Sequence, residues 1–243
     1  MFNSIPPITK NIIIINVIIF IVANLIFQDK FTAYLAAFYP FSPFFKSWQI
    51  ITHMFMHGSF MHILFNMFTL FSFGPVLEQN LGQKRYLILY FLSGLGAFFL
   101  FNLWNFIEVQ QISGELQQLG FDINGYLSGA SVHFSGTSDS VIQQKGLVEN
   151  LNSIMGTPMV GASGAIFGVV AAFATLYPDA KIGIMFIPIP MKVKYVLPVI
   201  ILVSIWLGVS GNSGGIAHLA HVGGALVGFI LAMIWKKHLY RLN

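Results

Sequence analysis

Apolar residues in this chain come in long unbroken runs separated by short polar breaks, the pattern of helices that are apolar all round and cross a membrane. Residues 11–27 (NIIIINVIIFIVANLIF) follow Lys10 and stop at Gln28-Asp29-Lys30. No small-residue cleavage site follows this run and further apolar runs do, so it predicts a first transmembrane helix and not a secretion signal. Similar runs predict spans at 60–77, 86–107, 163–177, 195–209 and 216–235. The fourth is short and ends at Tyr177-Pro178-Asp179, and the fifth contains Pro198. Residues 28–58 carry Pro40, Pro43, Trp48 and several Phe, too interrupted for a span and too aromatic for a free loop, which places them in the membrane interface. Pro and Gly punctuate a hairpin from Ile182 to Met191, and Gly211-Asn212-Ser213-Gly214-Gly215 reads as a turn.

Residues 108–158 break the pattern, with five acids, one Lys and no run long enough to cross. Within them Val141, Ile142, Leu147, Val148, Leu151, Ile154 and Met155 fall near helical spacing. The stretch 141–155 is either an amphipathic interfacial helix or a flexible surface segment.

Composition agrees with the spans. Of the 243 residues 56% are hydrophobic and 8% charged, with a mean hydropathy of +0.77, far from the roughly 25% charged of soluble domains. The chain is predicted to be an all-α membrane protein, a bundle of six transmembrane helices with an interfacial first loop and a long outer loop, 108–158, between helices 3 and 4. The absence of Cys removes disulfides and thiolate chemistry. The net charge of +4 comes without a contiguous basic patch interleaved with aromatics, so nucleic acid is excluded as a partner. Six spans put both termini on one side. Nine of the twelve Lys and Arg, among them Lys10, Lys84, Arg85, Lys192, Lys194 and Lys236, fall on that side, and Lys30, Lys46 and Lys145 on the other. The positive-inside tendency makes both termini cytoplasmic and turns 108–158 outward. The lack of a transit-like N-terminus favours a bacterial cytoplasmic membrane. No period of 20 to 50 residues repeats, which argues against a transporter built from inverted repeats. No feature sets an oligomeric state.

Ionisable groups inside spans are costly and mark function. Span two carries His62 and Asn66 on one helical face, span six His218 and His221, and span four opens with Gly161-Ala162-Ser163-Gly164. At about 1.5 Å per residue in an apolar layer of about 30 Å, Ser163 and His221 each lie roughly 8 Å below the outer surface, with His62 and Asn66 at about 6 and 12 Å. A serine hydroxyl needs a base, and histidine is the usual one. His221 is preferred over His218 because Gly223, Gly224 and Gly228 follow it, letting its helix approach the small-residue face of Gly164 and Gly168. No carboxylate is placed to complete a triad, so the site is a Ser163-His221 dyad. Free N–H groups at the helix start, with His62 and Asn66, offer donors to an oxyanion. By itself a serine in such a stretch is more often a helix-packing residue. His53 and His57, four apart, lack the HExxH context of a metal site and read as packing or hydrogen-bonding groups. No metal or other cofactor is called for.

These residues resemble the rhomboid intramembrane serine proteases. The resemblance rests on Gly161-Ala162-Ser163-Gly164 at the start of span four, Ala220-His221 followed by Gly224 and Gly228 in span six, and His62-x-x-x-Asn66 in span two. Trp48, the His57 to Asn66 stretch and Glu78 through Gly82 are similar to the family's first loop and second helix. The resemblance covers roughly residues 45 to 235. It implies a single rhomboid-like membrane domain over 1–243, with Ser163 as nucleophile, His221 as general base, and the Ser163 N–H, His62 and Asn66 as oxyanion hole. Gly161, Gly164, Phe167, Gly168, Gly224 and Gly228 are expected to support and pack the site. Implied partners are the lipid bilayer and transmembrane protein substrates cleaved near the outer face, with span five and the outer loops gating entry. The chain departs from the family at Gln49, where Arg often follows the first-loop Trp, and at Phe167, where some bacterial members have Tyr. The alternative is a catalytically silent relative that binds membrane proteins. The outer loop, longer than in compact bacterial members, is expected to shape access to the site.

Overall fold

The computed structural model describes residues 5–24, 29–184, 187–209 and 218–239. The element order is α1 (Pro7–Val22), α2 (Asp29–Leu35), α3 (Gln49–Thr52) continued by a 3-10 turn His53–Phe55, α4 (Phe60–Leu81), α5 (Gln83–Gln118), α6 (Ile123–Leu127), α7 (Ser138–Gly156), α8 (Ser163–Leu176), β1 (Lys181–Ile184), β2 (Ile187–Lys192), α9 (Val193–Val209) and α10 (His218–Leu239). Three of these, α4, α5 and α10, are long and apolar enough to cross a membrane, while α1, α8 and α9 are shorter apolar helices. All six lie where the apolar runs fall. Residues 25–27 of the first run, the turn at 211–215 and residues 216–217 lie outside the described residues.

Several boundaries differ from the sequence reading, each for a local reason. α1 starts at Pro7, ahead of the apolar run, because proline suits a first helical turn and Glu78 satisfies that turn's free N–H groups. α4 runs past residue 77, through Pro75, to Leu81, and stops where Gly82 takes a positive φ of 77°. The largest difference is α5, which continues from 107 to 118. Residues 108–118 (EVQQISGELQQ) are mostly good helix formers, and Val109, Ile112 and Leu116 share one face. The hairpin forms as expected, antiparallel, with Lys181 opposite Lys192 and Ile182 opposite Met191.

The chain divides into two compact units. The first comprises residues 1–37, 47–101 and 159–243, and the second residues 38–46 and 102–158. In the first, α4, α5, α8 and α10 surround a core that includes Leu70, Leu77, Tyr86, Leu89 and Val169. Its least expected feature is buried Glu78. Glu78 Oε1 accepts from the Ile8 N–H at 2.9 Å, and Oε2 from the Thr9 N–H and hydroxyl, each at 2.7 Å. A carboxylate at a helix N-terminus meets both free donors and the positive end of the dipole. In the same unit the side chains of Gln49, Trp48 and Thr52 donate to the carbonyls of Ala33, Tyr34 and Leu35, at 3.3, 2.9 and 2.7 Å. The last carbonyls of α2, which have no partner within the helix, are thereby satisfied by α3 and the Trp48 that precedes it.

The second unit is not a loop. Val148 and Leu151 of α7 join Tyr39, Val109, Leu116, Phe121 and Ile123 in a core of their own. Fully buried Gln144 donates to the carbonyls of Leu119 and Ser135, both at 2.9 Å, and accepts from the Ser135 N–H at 3.2 Å. The 141–155 stretch is therefore a helix, and Leu147, Val148, Leu151, Ile154 and Met155 of its apolar face pack against protein.

Two predictions concern stability. Glu78→Ala leaves buried donors unmet and should cost about 3–5 kcal/mol, read as a lowered unfolding midpoint in detergent; an unchanged midpoint would remove Glu78 from the frame. Burial holds the His53 and His57 pKa values down at about 4, the neighbouring His62 adding to the effect at His57. Unfolded histidines titrate near 6.5. Between these values the unfolded chain binds protons that the folded chain does not, so stability is complete above about pH 6.5 and is lost as pH falls toward 4. The expected loss is about 1.4 kcal/mol per histidine per pH unit, and unfolding midpoints that stay level over that range would contradict it.

Candidate active site

The site lies in the first unit, at the start of α8. The segment leading into Ser163 is pinned from both sides. Met159 and Ala37 exchange two backbone hydrogen bonds, 3.0 and 2.7 Å, and the Gly161 N–H donates to the His53 carbonyl at 3.0 Å. Gly161 has φ +118°, a conformation that side chains oppose. Ser163 is the first residue of α8, so its N–H belongs to the turn that lacks intrahelical acceptors.

His221 Nε2 lies 2.9 Å from Ser163 Oγ. The contact comes from two helices that approach to backbone contact. A Cβ on Gly224 would strike the Gly164 carbonyl, and one on Gly228 the Gly168 carbonyl. From α5, Ala97 closes on Gly164, Ser93 on Gly168 and Gly96 on Gly223. One turn after Ser163, the Phe167 ring stacks on His221 with centroids 4.2 Å apart and planes 1° from parallel. The His218 ring stands edge-on to His221 at 6.0 Å. Of His218 and His221, it is His221 that meets the hydroxyl.

His62 approaches from α4, which Ser59 caps by accepting the His62 N–H at 3.2 Å. The vacant position over Gly161 where a Cβ would stand is 2.7 Å from His62 Nε2 and 3.6 Å from Ser163 Oγ. Glycine keeps open a space with the hydroxyl on one side and an imidazole edge on the other. Asn66, one turn beyond His62, is 7% exposed, and its Nδ2 has no hydrogen-bond partner among the described residues. A buried donor without a partner is expensive. Among the described residues no three His, Cys, Asp or Glu side chains gather as a metal site.

The structure therefore brings Ser163, His221, Phe167, Gly161 and His62 together, and sets Gly164 and Gly168 against Gly224 and Gly228. Gly96, Ser93 and Ala97 supply the third wall, and only their small size signals them in the sequence. Gln49, which stands where the family often has Arg, is fully buried and hydrogen-bonded to α2. Phe167 retains the ring contact with His221 without a hydroxyl.

The Rhomboid domain family model matches residues 45–238. This chain belongs to the rhomboid family. Among curated relatives, Rhomboid protease GlpG of Salmonella choleraesuis (strain SC-B67) is 35% identical over 91 residues, 37% of this chain and 32% of that protein. Rhomboid protease GlpG of Salmonella typhi is 34% identical over 91 residues, with the same coverage. The chain spans about a third of the length of the curated relatives it matches. Rhomboid membership and the apolar helices make this an integral membrane protein of mostly helical fold.

Gly161→Ala puts a methyl group into the space between Ser163 and His62 and strains a left-handed residue. The strain alone should cost about 1–3 kcal/mol, and the filled space should slow labelling of Ser163 by a fluorophosphonate at least tenfold. Wild-type labelling in a folded Gly161→Ala protein would show that the space is not used.

Proposed function

We propose that this chain is an intramembrane serine endopeptidase that hydrolyses peptide bonds in or near the transmembrane helices of other membrane proteins. The observation that carries the reading is the 2.9 Å approach of His221 Nε2 to Ser163 Oγ, at a helix start where glycine at 161 leaves the His62 ring edge close by. Ser163 Oγ attacks the scissile carbonyl carbon while its proton passes to His221 Nε2. The developing oxyanion accepts from the Ser163 N–H, His62 Nε2–H and Asn66 Nδ2–H, donors that stabilise the charge most when they need not reorganise. Collapse expels the amine, which takes the proton back from His221. Water, deprotonated by the same ring, then releases the acyl group. Phe167 holds the imidazole by its face, the task a carboxylate performs at one edge in a triad.

In this reading all six apolar helices cross the bilayer, with both termini on the cytoplasmic side of a bacterial inner membrane. Support comes from the two ends of α8. Beyond its C-terminus, Asp179 accepts from Lys194 and Lys192 at 2.8 and 2.9 Å, and these bonds hold its pKa down at about 2. Lys236 Nζ donates to the Thr175 carbonyl at 3.1 Å. Such a lysine cluster suits the cytoplasmic surface. Fourteen residues of helix rise about 21 Å in an apolar layer of about 30 Å, which recesses Ser163 below the opposite surface. Residues 108–158 would then lie on the outer side.

The test is labelling by a serine-reactive fluorophosphonate together with cleavage of a single-span reporter that carries small residues near its outer membrane end. Ser163→Ala and His221→Ala should each abolish both, His218→Ala should keep much of both, and Asn66→Ala should lower kcat more than it raises KM. Labelling that persists in Ser163→Ala would overturn the assignment, and well-folded protein that never labels would favour a catalytically silent relative.

A further inference from the structure

A buried histidine stands beside the site without a place in the mechanism above. His57 lies between the 3-10 turn and the cap of α4 and is 4% exposed. Its ring meets the His62 ring edge to face, with centroids 5.0 Å apart and planes at 69°. Neither ring nitrogen of His57 makes a hydrogen bond of proper geometry to a described residue, although the Phe55 carbonyl is near. A histidine retained in a core for its polar atoms is normally hydrogen-bonded, so the ring contact is what this one supplies.

His62 needs such a contact. It is half-buried, and its Nε2 and Cε1 atoms face the space over Gly161. A donor serves an oxyanion only while its ring keeps its direction. Small rotations of an unbraced imidazole would carry Nε2 away from that space. Aromatic pairs in edge-to-face contact resist this by about 0.5–1.5 kcal/mol. On the protease reading proposed above, we infer that His57 is a positioning residue, whose ring holds the His62 imidazole with its Nε2 edge toward the oxyanion beside Ser163. It touches neither substrate nor reacting atoms.

The inference is tested by a double-mutant cycle on the full-length protein in detergent, read as the rate of fluorophosphonate labelling and as kcat and KM for the single-span reporter. In labelling, the Ser163 Oγ–P bond forms, the P–F bond breaks with loss of fluoride, and the hydroxyl proton passes to His221. The phosphoryl oxygen occupies the oxyanion position. His57→Ala should slow labelling and lower kcat about tenfold with KM little changed. His57→Phe, which keeps a ring but no ring nitrogen, should stay within about threefold of wild type. In a His62→Ala background His57→Ala should have no further effect, since residues acting through one group are not additive.

Equal losses from His57→Ala with and without His62 would overturn the inference, as would a His57→Phe loss as large as that of His57→Ala. If His57→Ala fails to fold, as its unfolding midpoint will show, His57→Leu replaces it in the same cycle. Additive losses in a protein whose labelling still requires Ser163 would sink the role of His57 alone. Labelling that survives Ser163→Ala would overturn the protease reading and this inference with it.

Discussion

Everything in the site depends on how closely the backbones of α8 and α10 approach. Carbonyls of Gly164 and Gly168 occupy the space that side chains at 224 and 228 would need. Inside a membrane no hydrophobic force draws helices together, since lipid tails are as apolar as leucine. Close packing of small residues supplies the attraction instead. With these glycines in register, Ser163 at the head of one helix and His221 on the other come within hydrogen-bond distance. The same constraint recruits α5, whose Gly96 backs Gly223 and whose Ala97 backs Gly164. A junction this tight has few ways to relax, which on the protease reading is the rigidity that a site with two reacting side chains requires.

Fixing the helices does not by itself fix the space beside the hydroxyl. That falls to the chain entering α8, where hydrogen bonds to Ala37 and His53 hold residues 159–161. They hold Gly161 in a conformation few other residues tolerate, and its bare Cα leaves room between Ser163 and His62. At the far end of α8, Thr175 accepts from Lys236 and Asp179 from two lysines, so both ends of this short helix are tied down. Glu78 does the same for the frame, joining the first turn of α1 to the last turns of α4.

Much of this was legible because membranes restrict what a sequence can do. Runs of apolar residues announced the six helices, and the few polar residues within them pointed to Ser163, His221 and His62, which the structure brings together. What stayed hidden was whatever depended on a partner far away in sequence. Glu78 reads as an acid at a span end until α1 is seen to present Ile8 and Thr9 to it. Ser93, Gly96 and Ala97 look like ordinary small residues of a span until two other helices press against them. Residues 108–158 look like a loop because their apolar positions are sparse. Yet Val109 and Leu116 meet Val148 and Leu151 across a long stretch of chain, and together they build a core. Periodicity reports each face but not what covers it.

On the protease reading, that no carboxylate among the described residues completes a triad follows from where the site lies. A carboxylate beside His221 would have to leave water for the interior of a membrane protein, at a cost of several kcal/mol unless fully hydrogen-bonded. Phe167 orients the same ring by stacking, with no charge to desolvate. Its negative face also attracts an imidazolium more strongly than a neutral ring, so the contact strengthens as His221 takes the serine proton. Low polarity around the oxyanion space works in the same direction, since fixed N–H donors act more strongly where water does not compete. A recessed helix start therefore makes a dyad sufficient, provided that its donors keep their direction.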